Sequence, residues 1–368
     1  MLFCAIASRN KWFFNPSKRN SFFSVEVFFL LLSFTLVFGA RYDVGEDYLA
    51  YLENYLEVMQ GGDGASHFEW GFAFITNILA NCGVHYFFYF SLLAFLQVFC
   101  IFYAFRTYKP VYPFLVLTLI LSCVFLSLMN GMRQEIVSCL FLCTILFIDK
   151  KQPLRFYLLL FLAALFHKSA LMLIIVYPIF RIKKSYFNNT YWQLILLLFA
   201  LVLMYSGFLG KIFMKLEGGM MLLGYGGYYD SLALGRQELV TLEKPRGLGF
   251  LITLLMNIII ISYNRQLESY FTPRLSWFPI LYNLFFIGVL LFYITNGSML
   301  FQRAALYLTR LQYVVGAFAL DYLFSTGGKN RTNYLFFFVL LLLYVLTFIA
   351  NFYRMEENTM LYTFFWQH

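Results

Sequence analysis

The sequence predicts an all-α polytopic membrane bundle, and three observations carry that prediction. Hydrophobic residues fill 61% of the 368 positions and charged residues only 12%, against about a quarter in ordinary soluble domains. Apolar runs recur from one end to the other, several near the roughly 18 residues that let a helix cross hydrocarbon. Basic residues gather in short clusters between those runs, the pattern that membrane insertion imposes on cytoplasmic connections. A soluble fold has no interior for so much apolar surface. No stretch is left for a separate soluble domain, so residues 1–368 read as one membrane domain of about 10–12 helices, some of them short, broken or re-entrant.

Taken in order, the first run, 22–39, follows a basic N-terminus and lacks a small-x-small cleavage pattern, so it reads as a retained span. Runs at 70–81 and 84–105 follow. If Arg9–Arg19, Arg106–Lys109, Lys150–Arg155, Arg181–Lys184 and Lys329–Arg331 are all cytoplasmic, only an odd number of crossings fits between Arg41 and Arg106. The run 84–105 is then the crossing and 70–81 a short re-entrant or interfacial helix. Runs 111–129 and 134–148 are ordinary spans. The next two, 154–166 and 169–180, are short and meet at a tight turn, His167–Lys168–Ser169, as two crossings or as a re-entrant hairpin. Runs 191–209, 248–262, 276–294, 302–323 and 333–352 complete the set. Residues 41–69 and 210–247 become the larger extracytoplasmic loops, and the tail 353–368 falls outside as well.

The same clusters account for the net charge of +9, which insertion explains without a nucleic-acid partner. The six cysteines form no CxxC pair and lie mostly within apolar runs, so neither a disulfide framework nor a zinc site is indicated. No internal repeat is evident, which weakens a reading as an inverted-repeat transporter.

Charges at or inside apolar runs are costly and therefore informative. In this topology they collect on the outer side: Arg41, Asp43, Glu46, Asp47, His67, Glu69, Arg133, Glu135, His167 and Arg303. Insertion rules favour arginine inside, so Arg41, Arg133 and Arg303 run against the bias. Bland readings stand beside each. Arg41 and Arg303 can snorkel to headgroups, His167 can be a solvated turn, and Asp43 and Asp47 can be helix-start charges. Arg133 and Glu135, two positions apart, point to different helix faces and do not pair simply. Taken together, three guanidinium groups on one face suit a pyrophosphate, and a nearby carboxylate or histidine can take a proton from a sugar hydroxyl. The 210–247 loop carries Tyr225, Tyr228 and neighbouring tyrosines, which fit either a headgroup-level aromatic belt or stacking on sugar rings.

At these residues the chain resembles the EpsG-type branch of the Wzy polysaccharide polymerases. The stretches are Arg41-Tyr-Asp-Val-Gly-Glu-Asp47-Tyr-Leu-Ala-Tyr51, Phe68-Glu69-Trp-Gly-Phe72, Gly131-Met-Arg133-Gln-Glu135 and Leu165-Phe-His167-Lys-Ser-Ala170. Arg303 follows, with Tyr307 and Arg310 behind it on one helix. The resemblance implies a polymerase of O-antigen or exopolysaccharide type with an external active site on the bacterial cytoplasmic membrane. The growing glycan passes from undecaprenyl pyrophosphate to the non-reducing end of a fresh lipid-linked repeat, without nucleotide sugar, metal or cofactor. Arg133, Arg303 and Arg41 are the implied pyrophosphate ligands, and His167, Asp47 and Glu69 are alternatives for the base. The implied partners are the lipid-linked oligosaccharide, membrane lipids and, as an open addition, a chain-length regulator. A lipid-linked glycan flippase, a membrane O-acyltransferase with His167 as base, and a non-enzymatic assembly partner remain rivals.

Overall fold

The computed structural model describes residues 1–14, 21–182, 184–206, 208, 212, 247–295, 299–354 and 362–367, and nearly all of its regular structure is helical. In chain order come α1 (Leu2–Phe14), α2 (Val25–Gly39), the short strand β1 (Arg41–Tyr42), α3 (Tyr48–Met59), α4 (Trp70–Asn81) and α5 (Tyr86–Ala104). Next are α6 (Tyr112–Leu121), α7 (Val124–Met129), α8 (Met132–Asp149), α9 (Pro153–Ala164), a 3-10 segment Lys168–Ile175, α10 (Val176–Ile182) and α11 (Thr190–Ser206). The second half holds α12 (Leu248–Ser262), α13 (Asn264–Phe271), α14 (Phe278–Ile294), α15 (Met299–Thr309), α16 (Leu311–Gly327), α17 (Arg331–Arg354) and the strand β2 (Thr363–Phe364).

Among the described residues α5 and α17 are each long and apolar enough to cross a membrane alone, and α12 with α13 form a third such stretch bent by 56°. The shorter apolar helices are α2, α6, α9, α11 and α14. Several expected single spans are broken. The 111–129 run divides into α6 and α7 at Cys123, whose φ of 58° is left-handed, a conformation that opposes helix continuation for an L-residue with a side chain. The 302–323 run divides into α15 and α16 at Arg310. At 12 residues α4 is too short to cross, and 154–182 forms a hairpin in which the 3-10 segment packs back along α9.

Position in the bundle follows from which faces are apolar. α14 and α16 are buried on almost every side and form the centre. α17 is peripheral: 22% of its apolar window is buried against 61% for α5. The outward faces of α9, α11 and α17 carry Leu154, Leu158, Phe161, Trp192, Ile195, Phe199, Leu335, Phe338 and Leu342, all exposed, at the helical spacing expected of a lipid-facing stripe. These features together make a polytopic membrane helical bundle.

Two further contacts fix the ends. Arg9 on α1 donates through Nη1 to Asp321 Oδ1 on α16 and to the Pro110 carbonyl, both at 2.6 Å, while Tyr108 donates to Asp321 Oδ2 at 2.8 Å. Arg9 and Lys11 of the basic N-terminal stretch thus lie on a packed helix. At the other end β2 pairs antiparallel with β1, Arg41 opposite Phe364 and Tyr42 opposite Thr363, and the Phe365 N–H donates to the Ala40 carbonyl at 3.0 Å. The 41–69 loop contains α3, which the apolar runs did not reveal. Tyr48, Tyr51, Leu52, Tyr55 and Val58 form its buried stripe. Tyr55 stacks on Tyr89 and Tyr48 on Phe90, with ring centroids 4.4 and 4.8 Å apart.

Candidate functional site

The site begins with a glycine. The Gly71 N–H, one of the free donors in the first turn of α4, bonds the Leu165 carbonyl at the end of α9 at 2.8 Å. A Cβ at position 71 would lie 2.8 Å from Leu165 Cβ and 3.0 Å from its carbonyl oxygen, so only glycine allows this approach. The contact brings Glu69, at the N-cap of α4, beside the turn that carries His167. Glu69 Oε1 accepts from the Lys168 backbone N–H at 3.3 Å, and Oε2 accepts from Arg133 Nη1 at 2.7 Å. Arg133 stands in the first turn of α8, its guanidinium 4.9 Å from the Phe68 ring centre and its Nε 3.5 Å from the Tyr51 hydroxyl. Both members of the pair keep some solvent access, 25% for the Arg133 side chain and 12% for that of Glu69.

His167 caps the 3-10 segment. Its Nδ1 accepts from the Ser169 backbone N–H at 3.2 Å and faces Ser169 Oγ at 2.7 Å. An acceptor Nδ1 places the ring proton of the neutral imidazole on Nε2. Ser169 Oγ is also hydrogen bonded to the Tyr307 hydroxyl on α15, so Tyr307, Ser169 and His167 form a continuous chain of exchangeable protons. Burial pushes the His167 pKa down, Glu69 opposes that, and Arg133 and Arg303 reinforce it, with a net lowering. The imidazole is therefore neutral at pH 7 with a lone pair available at Nδ1. Burial alone would raise the Glu69 carboxyl, but backbone hydrogen bonds, Arg133 and His167 outweigh it and hold it below its ordinary value. Glu69 is thereby a fixed anion and a weak base.

Arg303 is exposed on α15, acts electrostatically on His167, and offers its backbone carbonyl to Gln134 Nε2 at 2.7 Å. Deeper on the same side, Arg310 grips Glu135 Oε1 through Nε at 3.0 Å and through Nη2. The two neighbouring charges of α8 thus take separate partners, as the face argument predicts. Gly288 on α14 makes room for this junction: a Cβ there would lie 2.2 Å from the Leu308 carbonyl oxygen.

The structure gathers Glu69, Arg133, His167 and Arg303 and adds Ser169, Tyr307, Tyr51 and Gln134. It does not bring Arg41 into the cluster. Arg41 is fully buried, its guanidinium 4.1 Å from the Phe38 ring centre and flanked by Tyr48 and Phe90. Nη2 approaches Met132 Sδ at 3.5 Å, whereas Nε and Nη1 have no hydrogen-bond partner among the described residues. Burial pushes its pKa down to about 9, so it stays charged at pH 7. Asp47 enters through its backbone, whose N–H bonds Asn130 Oδ1 at 2.8 Å and ties α3 to the α7–α8 turn. Tyr225 and Tyr228 lie outside the described residues. The uncharged members were missed as site residues because charge was the signal followed. Ser169 and Tyr307 nevertheless stand in or beside the stretches that carry the family resemblance.

Residues 25–364 match the family model described as the EpsG family. The chain belongs to the EpsG family. The match spans every element that builds the cluster, from α2 to β2. Membership makes this EpsG-family chain a polysaccharide polymerase-like membrane protein of polysaccharide biosynthesis. No curated protein and no solved structure matches it.

Proposed function

We propose that this chain polymerises lipid-linked oligosaccharide repeats on the outer face of a bacterial cytoplasmic membrane. It transfers the growing glycan from undecaprenyl pyrophosphate to the non-reducing end of a new lipid-linked repeat. The observation that carries the reading is the Tyr307–Ser169–His167 hydrogen-bond chain beside the partly exposed Arg133–Glu69 pair, with Arg303 close by. As the sugar–pyrophosphate C–O bond breaks, the acceptor hydroxyl oxygen forms the new glycosidic bond. Its proton passes through the partly exposed Ser169 hydroxyl to His167 Nδ1, while the fully buried Tyr307 hydroxyl holds Ser169 in place from behind. The pyrophosphate leaves as an anion against Arg133 and Arg303, whose paired N–H donors match phosphate oxygens. Glu69 holds Arg133 in position and favours the imidazolium as it forms.

Of the three alternatives for the base, this geometry favours His167. Glu69 is held as a stabilised anion, and the described contacts of Asp47 lead to Asn130 and Tyr51. Arg41 supports the site from below the surface. Tyr225 and Tyr228 are proposed to stack on the sugars, membrane lipids to cover the apolar belt, and a chain-length regulator to act from outside the chain.

The test is the cell's glycan size distribution after deletion of the gene, with the lipid-linked pool assigned to a side of the membrane. Single repeats exposed outside, with long chains lost, support the polymerase. Single repeats trapped inside identify a flippase. Unchanged chain length with altered acylation identifies an O-acyltransferase.

A further inference from the structure

At the start of α2, the end of that helix away from the β1–β2 clasp, a cleft of about 310 Å³ lies between α1, the α1–α2 connection and the α5–α6 turn. Lys11 of α1 and Lys109 of the turn both line it. Lys109 is only 5% exposed, and a lysine is almost never so buried unless it is paired. Its Nζ donates to the Ser21 carbonyl at 2.5 Å, which uses one of three donors and meets no opposite charge. Among the described residues no carboxylate contacts it. Glu26, the carboxylate that acts on it from a distance, is already bonded to Lys11 at 2.8 Å. Two ammonium groups thus share one carboxylate. Burial pulls the Lys109 pKa down, Glu26 opposes that, and Lys11 adds to the lowering. An anion entering the cleft offsets both the lost hydration and the repulsion.

The rim selects among anions. Phe23 and Val25 also line the cleft, yet are 76% and 67% exposed. Phe28 and Phe29, exposed on α2, carry the same apolar surface onward along the helix. A soluble anion would leave that surface unused, whereas a phospholipid covers it with its chains. The volume lies within the roughly 300–1,000 Å³ of sites that hold whole small ligands, enough for a glycerophosphate head. Charge placement assigns this end of the bundle to the cytoplasmic face, where basic pockets between helices meet anionic headgroups.

We propose that this cleft binds one anionic phospholipid, with its phosphodiester between Lys109 and Lys11 and its acyl chains against Phe23 and the exposed face of α2. The headgroup supplies the counter-charge that the fold omits, and it ties α1 to the α5–α6 turn. This lipid site is independent of the polymerase reading.

The full chain in dodecyl maltoside is titrated with dioctanoyl phosphatidylglycerol, dioctanoyl phosphatidylcholine and glycerol 3-phosphate, and bound molecules are counted by native mass spectrometry. Phosphatidylglycerol should be retained at one copy and in preference to the other two probes. Lys109→Gln should weaken its binding roughly fivefold, the effect of one lysine near a lipid surface. Lys329→Gln, which removes a charge from another basic cluster, should leave it unchanged. Phe23→Ser, at an exposed position that folding does not depend on, should weaken phosphatidylglycerol and spare glycerol 3-phosphate. Unchanged phosphatidylglycerol affinity in folded Lys109→Gln, or in Lys11→Gln where Lys109→Gln does not fold, overturns the site. An equal loss in Lys329→Gln, or equal retention of phosphatidylcholine, overturns it in favour of unspecific surface binding. Glycerol 3-phosphate held as tightly as the lipid overturns the assignment to a phospholipid.

Discussion

Two arginine–carboxylate pairs bridge distant parts of this chain, and they are built to different ends. Asp321 is fully buried and accepts from Arg9, Tyr108 and Ser325, and Arg9 also reaches the Pro110 carbonyl. Nothing around that carboxylate is left for a ligand. The Arg133–Glu69 pair is partly open to solvent and abuts a neutral histidine and a proton chain. The first staples α1 to α16, whereas the second holds a charge ready for something that arrives. What separates a staple from a site here is spare hydrogen-bonding capacity at a partly open surface. The presence of an ion pair is common to both.

The comparison predicts its own failures. The largest effect falls on the staple. Asp321→Asn strands the Arg9 charge in a buried place, at a cost of about 3–5 kcal/mol. Thermal aggregation of the detergent-solubilised chain should shift sharply downward, and activity should fall only with the folded fraction. Arg133→Gln reverses that pattern. Polymer formation should drop by about 10²–10³-fold with the thermal midpoint nearly unchanged, and a large loss of stability would make this pair a second staple. Tyr307→Phe removes the hydroxyl that holds Ser169 with no charge change, so a smaller loss of roughly fivefold, about 1 kcal/mol, is expected in kcat. A wild-type kcat would remove Tyr307 from any part in positioning Ser169.

The finest test is pH. The lowered pKa of His167 keeps its neutral form dominant below the ordinary histidine value of about 6.5. Activity should therefore hold from pH 7 down through that value and fall only below it. Among the described residues Glu69 is the group that raises the His167 pKa. In Glu69→Gln the acid limb should move to still lower pH, with reduced activity throughout. An unmoved limb, or one moved upward, would show that His167 is not the group being titrated.

The membrane architecture was legible because composition and charge placement act at every residue of a span. The breaks at Cys123 and Arg310 were not, since no proline or glycine stands at those two positions and both lie inside continuous apolar runs. Helix α3 was concealed in a polar loop, although Tyr48, Tyr51, Tyr55 and Val58 repeat at helical spacing. At the site, the separate faces of Arg133 and Glu135 followed from helix geometry. Their partners did not, because Glu69 and Arg310 lie 64 and 175 residues away, and only tertiary packing chooses between carboxylates at such separations. The arginines seemed equivalent as anomalies of sidedness, yet Arg41 is sealed among aromatic rings and Arg303 is exposed. Sidedness constrains which leaflet a residue meets and leaves its depth in the protein undetermined.

The pairing of β1 with β2 bears on how the chain is made. Thr363 Oγ1 bonds the Tyr42 carbonyl across 321 residues of sequence, so this clasp cannot close until the final helix has been inserted. Its closure also requires the tail to reach the same side of the membrane as the first loop. Until then Arg41 has its ring and methionine neighbours from the first half of the chain but lacks Tyr362 and the paired Phe364, which the tail supplies. The two-residue strand thus ties the order of synthesis to the fold, because its two halves meet only after everything between them has been made.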